Sequence, residues 1–292
     1  MTTHQYLYSI DSFQISLFII NILQSKMAPH VLEGNGRAIE PTLKSIPAKD
    51  VPVATIESPS IVQNLAKLLA KAASSKAGLI FYTPGAEDSR VSYSDLQSKA
   101  TEKARLLGQI DGISASSIIL LHFENHHDTI LWFWAVTLAG FLPAISTPFV
   151  HDPAQRMKHL RHLKTLLQEP IVLTTERLVP DFLDTDELRV LPVEVLDRTA
   201  SSNGLYGIMP LCGTEKQAQD PAVLMLTSGS TGSAKAVPLR HGQLRTALQG
   251  KKDHHGTEPG DVFLTWVGLD HVASLCEIHL HASMFFTSTF IT

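Results

Sequence analysis

An α/β fold of mostly parallel sheets flanked by helices is what the sequence predicts, and three observations carry it. Short apolar runs alternate with helical patterns along most of the chain. One run, S-I-I-L-L-H-F at 117–123, is apolar almost throughout, as a central parallel strand covered on both faces must be. Another, A-V-L-M-L-T-S at 222–228, breaks into a loop of Ser, Thr and Gly, with a helix expected shortly behind it.

Taken in order, residues 1–30 stand apart. F-Q-I-S-L-F-I-I-N-I-L (13–23) is apolar but well short of the ~20 residues that span a bilayer. A secretory signal carries positive charge ahead of its apolar run, and here the first basic residue is Lys26. The segment reads as an extension ahead of a second possible start at Met27, with a membrane or targeting role as the alternative. Residues 31–58, rich in Pro, Gly, Lys and Glu, read as an irregular lead-in.

Regular structure is expected from residue 59. Ser58 or Ser60 can cap a helix with Ile61, Leu65, Leu68, Leu69 and Ala72 at helical spacing. G-L-I-F-Y-T (78–83) is a strand. Ser94 and Gln97 form a capping-box pair before a helix that places Leu96, Ala100, Ala104 and Leu107 on one face. D-T-I-L-W-F-W-A-V-T-L-A-G (128–140) is apolar nearly all round, so it is an internal helix ended by Gly140, and Trp132, Phe133 and Trp134 are core. Next come a strand in F-L-P-A-I-S-T (141–147), a polar helix at 153–168 and a strand in P-I-V-L-T-T (170–175). Residues 176–220 read as a surface excursion with one short strand near L-R-V-L-P-V. The core resumes with the strand at 222–228, a helix near 241–251, the strand D-V-F-L-T-W-V (261–267) and a helix from His271.

Bulk properties narrow the function. Hydrophobic residues make up 44% and charged residues 18%, a globular balance. The net charge is −4 and the pI about 6.4, with no basic stripe, which argues against nucleic acid as a partner. Cys212 and Cys276 make no disulfide framework and fit a reducing compartment. The expectation is a cytoplasmic protein without a membrane span.

The chemistry sits in V-L-M-L-T-S-G-S-T-G-S-A-K-A-V-P-L-R-H-G-Q-L (223–244). Glycines let a backbone approach closely, and successive N–H groups turned inward bind anions. Thr227, Ser228, Ser230 and Thr231 offer hydroxyls, Gly229 and Gly232 the backbone freedom, and Lys235 a positive charge. That is the composition of a nucleotide triphosphate loop. It is not a Walker loop: counting from Gly229, Ala234 stands where G-x-x-x-x-G-K-S/T needs Gly, and Ala236 where it needs the Ser or Thr for Mg2+. The dinucleotide fingerprint G-x-G-x-x-G fails too.

The segment T-S-G-S-T-G-S-A-K-A-V followed by P-L-R-H-G-Q-L resembles the adenylate-forming family, which includes acyl-CoA synthetases, luciferases and the adenylation domains of nonribosomal peptide synthetases. Ala234 and Ala236 depart from the usual Pro and Gly, and neither change removes a hydroxyl or the charge. D-V-F-L-T-W-V-G-L-D-H-V-A-S-L matches a later family rhythm, with His271 at its histidine and Gly268 where Pro is common. V-S-Y-S-D-L-Q and L-A-G-F-L-P-A-I-S-T-P-F resemble earlier segments, so the likeness covers roughly 60–285. The pattern is most similar to synthetase-like or reductase-type enzymes of fungi.

The resemblance implies the N-terminal part of the acyl-adenylate synthetase fold. It implies activation of a carboxylic acid as acyl-AMP with ATP and Mg2+. A phosphopantetheine carrier or CoA then serves as thiol acceptor, and carrier or reductase domains lie in a longer product. It places Thr227, Ser228, Gly229, Ser230, Thr231, Gly232 and Lys235 at the ATP phosphates and His271 beside the acyl group and the adenylate. Later family motifs, an aromatic-Gly-x-Thr-Glu and a Thr-Gly-Asp, are not found in 245–292; G-T-E-P-G-D (256–261) precedes the His271 segment and reads as a turn. Residues 59–292 are therefore expected to be a truncated adenylation domain without its C-terminal part, and S-M-F-F-T-S-T-F-I-T is expected to lack partners in this chain. The alternative is a non-catalytic piece that acts by binding nucleotide or by association with other chains. His126, His127, Glu277, His279 and His281 are assigned structural use, with no metal site expected.

Overall fold

The computed structural model describes residues 64–82, 87–182, 188–203, 211–227, 234–258, 260–265, 267–275 and 287–291. Helix α1 (Leu65–Ala73) starts at Asn64, whose side chain accepts from Lys67 N at 3.0 Å and so satisfies an amide the first turn leaves open. The expected caps Ser58 and Ser60, with Ile61, lie outside the described residues. Leu65, Leu68, Leu69 and Ala72 are buried, as their spacing predicts.

Strand β1 (Gly78–Tyr82) pairs antiparallel with β2 (Ser89–Ser92). β2 has no counterpart among the expected strands; its S-R-V-S carries one apolar side chain. Helix α2 (Tyr93–Leu107) follows at once. Its cap is Ser92, not Ser94: Ser92 Oγ accepts from Asp95 N at 3.0 Å and donates to the Asp95 carboxylate at 2.7 Å. Tyr93 is buried, and anchoring it starts the helix earlier than the Ser94–Gln97 pattern suggests.

Strand β3 (Ile118–Leu121) leads to helix α3 (His126–Ala139), which Asn125 caps by accepting from Asp128 N at 2.7 Å. α3 ends at Gly140 with φ 87°, a left-handed conformation that favours glycine. Strand β4 (Leu142–Ile145), helix α4 (Pro153–Leu166) and strand β5 (Ile171–Thr174) fall where expected. The described residues between 176 and 220 hold more regular structure than a surface excursion. They form a 3-10 helix (Glu176–Phe182), strand β6 (Arg189–Pro192) and helix α5 (Val193–Asn203). Leu178 and Phe182 are buried, and β6, the short strand expected near L-R-V-L-P-V, extends the sheet beside β5.

Strand β7 (Pro221–Thr227), strand β8 (Lys235–Arg240), helix α6 (His241–His255) and strand β9 (Val262–Thr265) complete the middle of the chain. G-T-E-P-G-D is indeed the junction between α6 and β9: Gly256 ends the helix at φ 61° and Asp261 N donates to Glu258 O at 3.2 Å. Strand β10 (Thr287–Ile291) comes last.

Two sheets result, each mostly parallel with one antiparallel strand at an edge. The larger has the order β6-β5-β3-β4-β7-β8, the smaller β2-β1-β10-β9. For residues 287–291, β10 overturns the expectation of a segment without partners; 283–286 and 292 lie outside the described residues. Ser288 pairs with Leu79 on one side and Phe263 on the other, so the strand is interior to its sheet. One partner, β9, lies 25 residues back in the chain, but the other, β1, lies 209 back, and no linear pattern reveals it.

The strands of the larger sheet alternate between two cores. Ile119, Leu121, Val223 and Met225 join Trp132, Trp134 and other residues of α3 in a core that also takes Leu79 and Phe81 of β1. On the opposite face Leu120, Ala144, Val172, Leu224 and Leu226 pack with Leu160 and Leu163 of α4. Helices thus cover both faces of the larger sheet, which explains its unbroken apolar strands. Among the described residues no helix is long and apolar enough to cross a membrane.

Candidate functional site

Strands β7 and β8 flank the Ser, Thr and Gly run as a hairpin pair. β7 and β8 run antiparallel, with Leu226 opposite Ala236 and Thr227 opposite Lys235. Opposed residues project to the same face. Thr227 follows Val223 and Met225 in parity, so Thr227 and Lys235 share the α3 side of the sheet, and both are exposed. Lys235 therefore begins a strand, and the helix comes only after Arg240. A Walker loop instead runs directly into a helix. Ser228, Gly229, Ser230, Thr231 and Gly232 lie outside the described residues.

The hairpin opens at the carboxyl end of the parallel strands, the edge where open α/β sheets take their ligands. Three polar residues tie that edge together. His122, just past β3, is buried and pairs through Nδ1 with Ser146 Oγ, just past β4, at 3.0 Å. The Ser146 hydroxyl spends its proton on Thr147 O at 2.9 Å, so His122 Nδ1 is the donor. Thr174, at the end of β5, donates to His122 O at 2.7 Å. The His122 ring stacks on Phe149 at 4.0 Å between centroids and meets the edge of Phe182. Burial lowers its pKa to about 4, with Asp181 opposing and His159 adding to the shift, so the ring is neutral near pH 7. In the sequence His122 falls inside an apolar run, with no role assigned to it.

α4 reaches the hairpin from the other face. His162 Nε2 lies 2.6 Å from Ala234 O, the residue just before Lys235. A carbonyl only accepts, so Nε2 carries the proton. His159, one turn earlier, has its pKa lowered by burial and then by His162.

His241, within P-L-R-H-G-Q-L, is buried and turned toward α1. Its Nδ1 accepts from Leu65 N at 3.2 Å, a first-turn amide of that helix. Burial lowers its pKa to about 4, against the pull of Asp220.

His271 sits apart from the hairpin in the chain, on a turn after β9. Its N donates to Gly268 O at 3.0 Å and its O accepts from Leu275 N at 3.1 Å, so the backbone starts a helical turn. Its ring is exposed, with Nε2 4.0 Å from Asp270 Oδ2. Asp270 is the residue the sequence reading passed over. Its carboxylate folds back over Gly268, where a Cβ would run into Oδ1. It also raises the pKa of His126, though burial of that ring outweighs it and the net shift is downward. Glu277, His279 and His281 lie outside the described residues. Among the described residues no three His, Cys, Asp or Glu are grouped to hold a metal ion.

The described residues fit a phosphate group better than a bare metal ion. A hydroxyl and an ammonium on one exposed face are donors to an anion, whereas Mg2+ asks for oxygen ligands, carboxylates and phosphates foremost. Fold and hairpin together describe an α/β protein that sets a hydroxyl and an ammonium side by side at the carboxyl edge of a parallel sheet. The chain belongs to the AMP-binding enzyme family, whose sequence profile matches residues 69–287. It is 59% identical over 229 residues to microperfuranone synthase of Emericella nidulans, covering 77% of this chain and 24% of that protein. It is 48% identical over 227 residues to nonribosomal peptide synthetase acyN of Ascocoryne sarcoides, covering 76% and 24%. The chain thus spans about a quarter of the length of these relatives. The adenylation domain of a keto acid-selecting NRPS module, bound to keto acyl adenylate, shares its fold with a TM-score of 0.66 at 24% identity, over 80% of this chain and 42% of that one. McyG A-PCP complexed with phenylalanyl-adenylate matches with a TM-score of 0.68 at 24% identity, over 78% and 36%.

Proposed function

We propose that this chain supplies the phosphate-binding part of an enzyme that activates a carboxylic acid as acyl-AMP. The observation that carries the reading is the β7–β8 hairpin, which sets Thr227 and Lys235 side by side at the carboxyl edge of the sheet. In this reaction a carboxylate oxygen attacks the α-phosphorus of ATP. The bond to the bridging oxygen breaks, and pyrophosphate leaves with the electron pair. Such an in-line displacement needs positioning and neutralisation more than covalent help from the protein. Lys235 would neutralise the β- and γ-phosphates, and the hydroxyls of Thr227, Ser228, Ser230 and Thr231 would donate to them. Gly229 and Gly232 would let the backbone close in. Mg2+, arriving with the nucleotide, supplies further neutralisation when bound. His271 would face the acyl group and the adenylate from its exposed turn.

Both solved structures named above are bound to an acyl-adenylate, which supports this reaction class. The length of the relatives supports a larger product, in which a phosphopantetheine carrier or CoA takes the acyl group and carrier or reductase domains follow. Residues 59–292 would then be the first part of its adenylation domain, working in the cytoplasm.

The test is nucleotide binding by the whole chain. A ligand at 100 times its dissociation constant stabilises a fold by about 2.7 kcal/mol, so millimolar ATP should raise the melting temperature. Lys235→Ala should weaken ATP binding about tenfold or more and leave the unliganded melting temperature in place. No protection at millimolar ATP rules the reading out. Exchange of labelled pyrophosphate into ATP, on adding a carboxylic acid, then tests the reaction itself.

A further inference from the structure

Lys235 is the one charged side chain of the phosphate-binding reading that the structure describes, and something must hold it in place. Among the described residues β8 is the edge strand of its sheet, paired with β7 on one side. Both Thr227 and Lys235 are exposed, so neither is fixed by packing. The residue before Lys235 is Ala234, whose methyl group offers no polar anchor of its own. Its carbonyl, however, is held from outside the hairpin by His162 Nε2 at 2.6 Å. The contact joins residues 72 apart in sequence.

The two ends of that contact are anchored differently. His162 sits beside Leu160 and Leu163, which pin α4 to the sheet in the second core. Ala234 and Ala236 are half-buried against that same core, on the face opposite Lys235. The small alanine side chains bring the backbone of the hairpin stem close to α4, within reach of an imidazole. Lys235 thus stands between a backbone clamp on the α4 face and open solvent on the α3 face.

We propose that His162 is a positioning residue for Lys235: by donating Nε2–H to the Ala234 carbonyl, α4 fixes the stem of the hairpin so that the lysine ammonium is presented to phosphate. The inference rests on the phosphate-binding reading of the hairpin. Only the Nε2–H donor matters, since the acceptor is a backbone carbonyl. A glutamine side chain places an N–H2 near where Nε2 lies and replaces the contact; an alanine removes it.

The experiment measures the ATP dissociation constant by calorimetry for the whole chain and for His162→Ala, His162→Gln, Lys235→Ala and the double variant His162→Ala/Lys235→Ala. His162→Ala should weaken ATP about 5- to 10-fold, the scale of one lost hydrogen bond. His162→Gln should recover affinity to within about twofold of the parent. The double variant should bind no worse than Lys235→Ala alone, because His162 acts through the lysine. Parent-like binding by His162→Ala, failure of glutamine to rescue, or independent losses in the double variant would each overturn the proposal. If the parent binds no ATP, or Lys235→Ala binds as the parent does, the phosphate-binding reading fails and takes with it the role assigned to His162. Amide exchange at 234–237 then shows separately whether the clamp exists: it should quicken in His162→Ala and not in His162→Gln, and unchanged exchange in His162→Ala would dismiss the clamp as well.

Discussion

The two sheets are built from similar short strands but recruit them over very different distances. In the larger sheet Ile118 pairs with Leu142, a separation of 24 residues. In the smaller, Leu79 pairs with Ser288, a separation of 209. Closing the longer loop costs about 2 kcal/mol more by the logarithmic rule for flexible chains. The larger sheet is assembled largely by neighbours in sequence and carries the hairpin. The smaller is a seam between the two ends of the described unit. Local sheets can hold a site early, and seams depend on the rest of the domain being in place.

The largest expected effect tests whether the sheets share one core. Trp134 is fully buried in the cluster that joins β1 to β3 and β7. Trp134→Ala should cost about 3–5 kcal/mol. A urea titration should show both sheets melting together at a lower midpoint; separate transitions would mean the core is divided.

Next comes a change aimed at the seam alone. Thr289 lies in the middle of β10, between Ile80 and Leu264. Thr289→Pro removes a backbone donor from an interior strand and should cost about 3 kcal/mol or more. Amide exchange should quicken at 79–82 and 262–265 while 118–121 and 221–227 stay protected. Equal loss at both would show that the larger sheet does not stand without the smaller.

Acid sharpens the comparison through two buried histidines. His122 and His241 have folded pKa values near 4, below the ordinary 6.5. The unfolded chain takes up protons that the folded chain refuses. Stability is therefore full above about pH 6.5 and falls as the pH drops toward 4, by at most about 3 kcal/mol for each histidine. His241→Asn keeps an acceptor for Leu65 N and removes the titration. Its urea midpoint should lose less between pH 7 and 5 than that of the parent. An identical pH profile would remove His241 from the account.

The smallest effect is at the first helix. Asn64 accepts from Lys67 N and donates to Lys216 O at 2.7 Å. Asn64→Ala should cost about 1 kcal/mol by thermal unfolding. A loss beyond about 2 kcal/mol would mean the tie to Lys216 outweighs the cap.

Legibility in the sequence followed the same divide. β3, β4, β5 and β7 announce themselves because burial on both faces demands uninterrupted apolar residues, and α3 because it is apolar all round. β2, β6 and β8 are edge strands, which lack that demand, and they were missed or read faintly. β10 was misread because β1, one of its two partners, lies 209 residues away. For the site, composition pointed to Thr227 and Lys235, yet only pairing shows that they share a face. His122, His162 and Asp270 act through contacts made by folding, and a lone polar residue in a linear pattern does not disclose its partner.

The place of β10 between β1 and β9 has a consequence for how the protein is made. At about 5–20 residues per second, a ribosome takes about 10–40 s to travel from Leu79 to Ser288. Throughout that interval β1 has emerged without the neighbour that will cover its parallel edge. The β7–β8 hairpin can form while the seam is still open. A nascent chain in this state offers an unpaired strand edge to its surroundings, so the yield of folded protein should depend on translation speed and on chaperones that shield that edge until the last strand arrives.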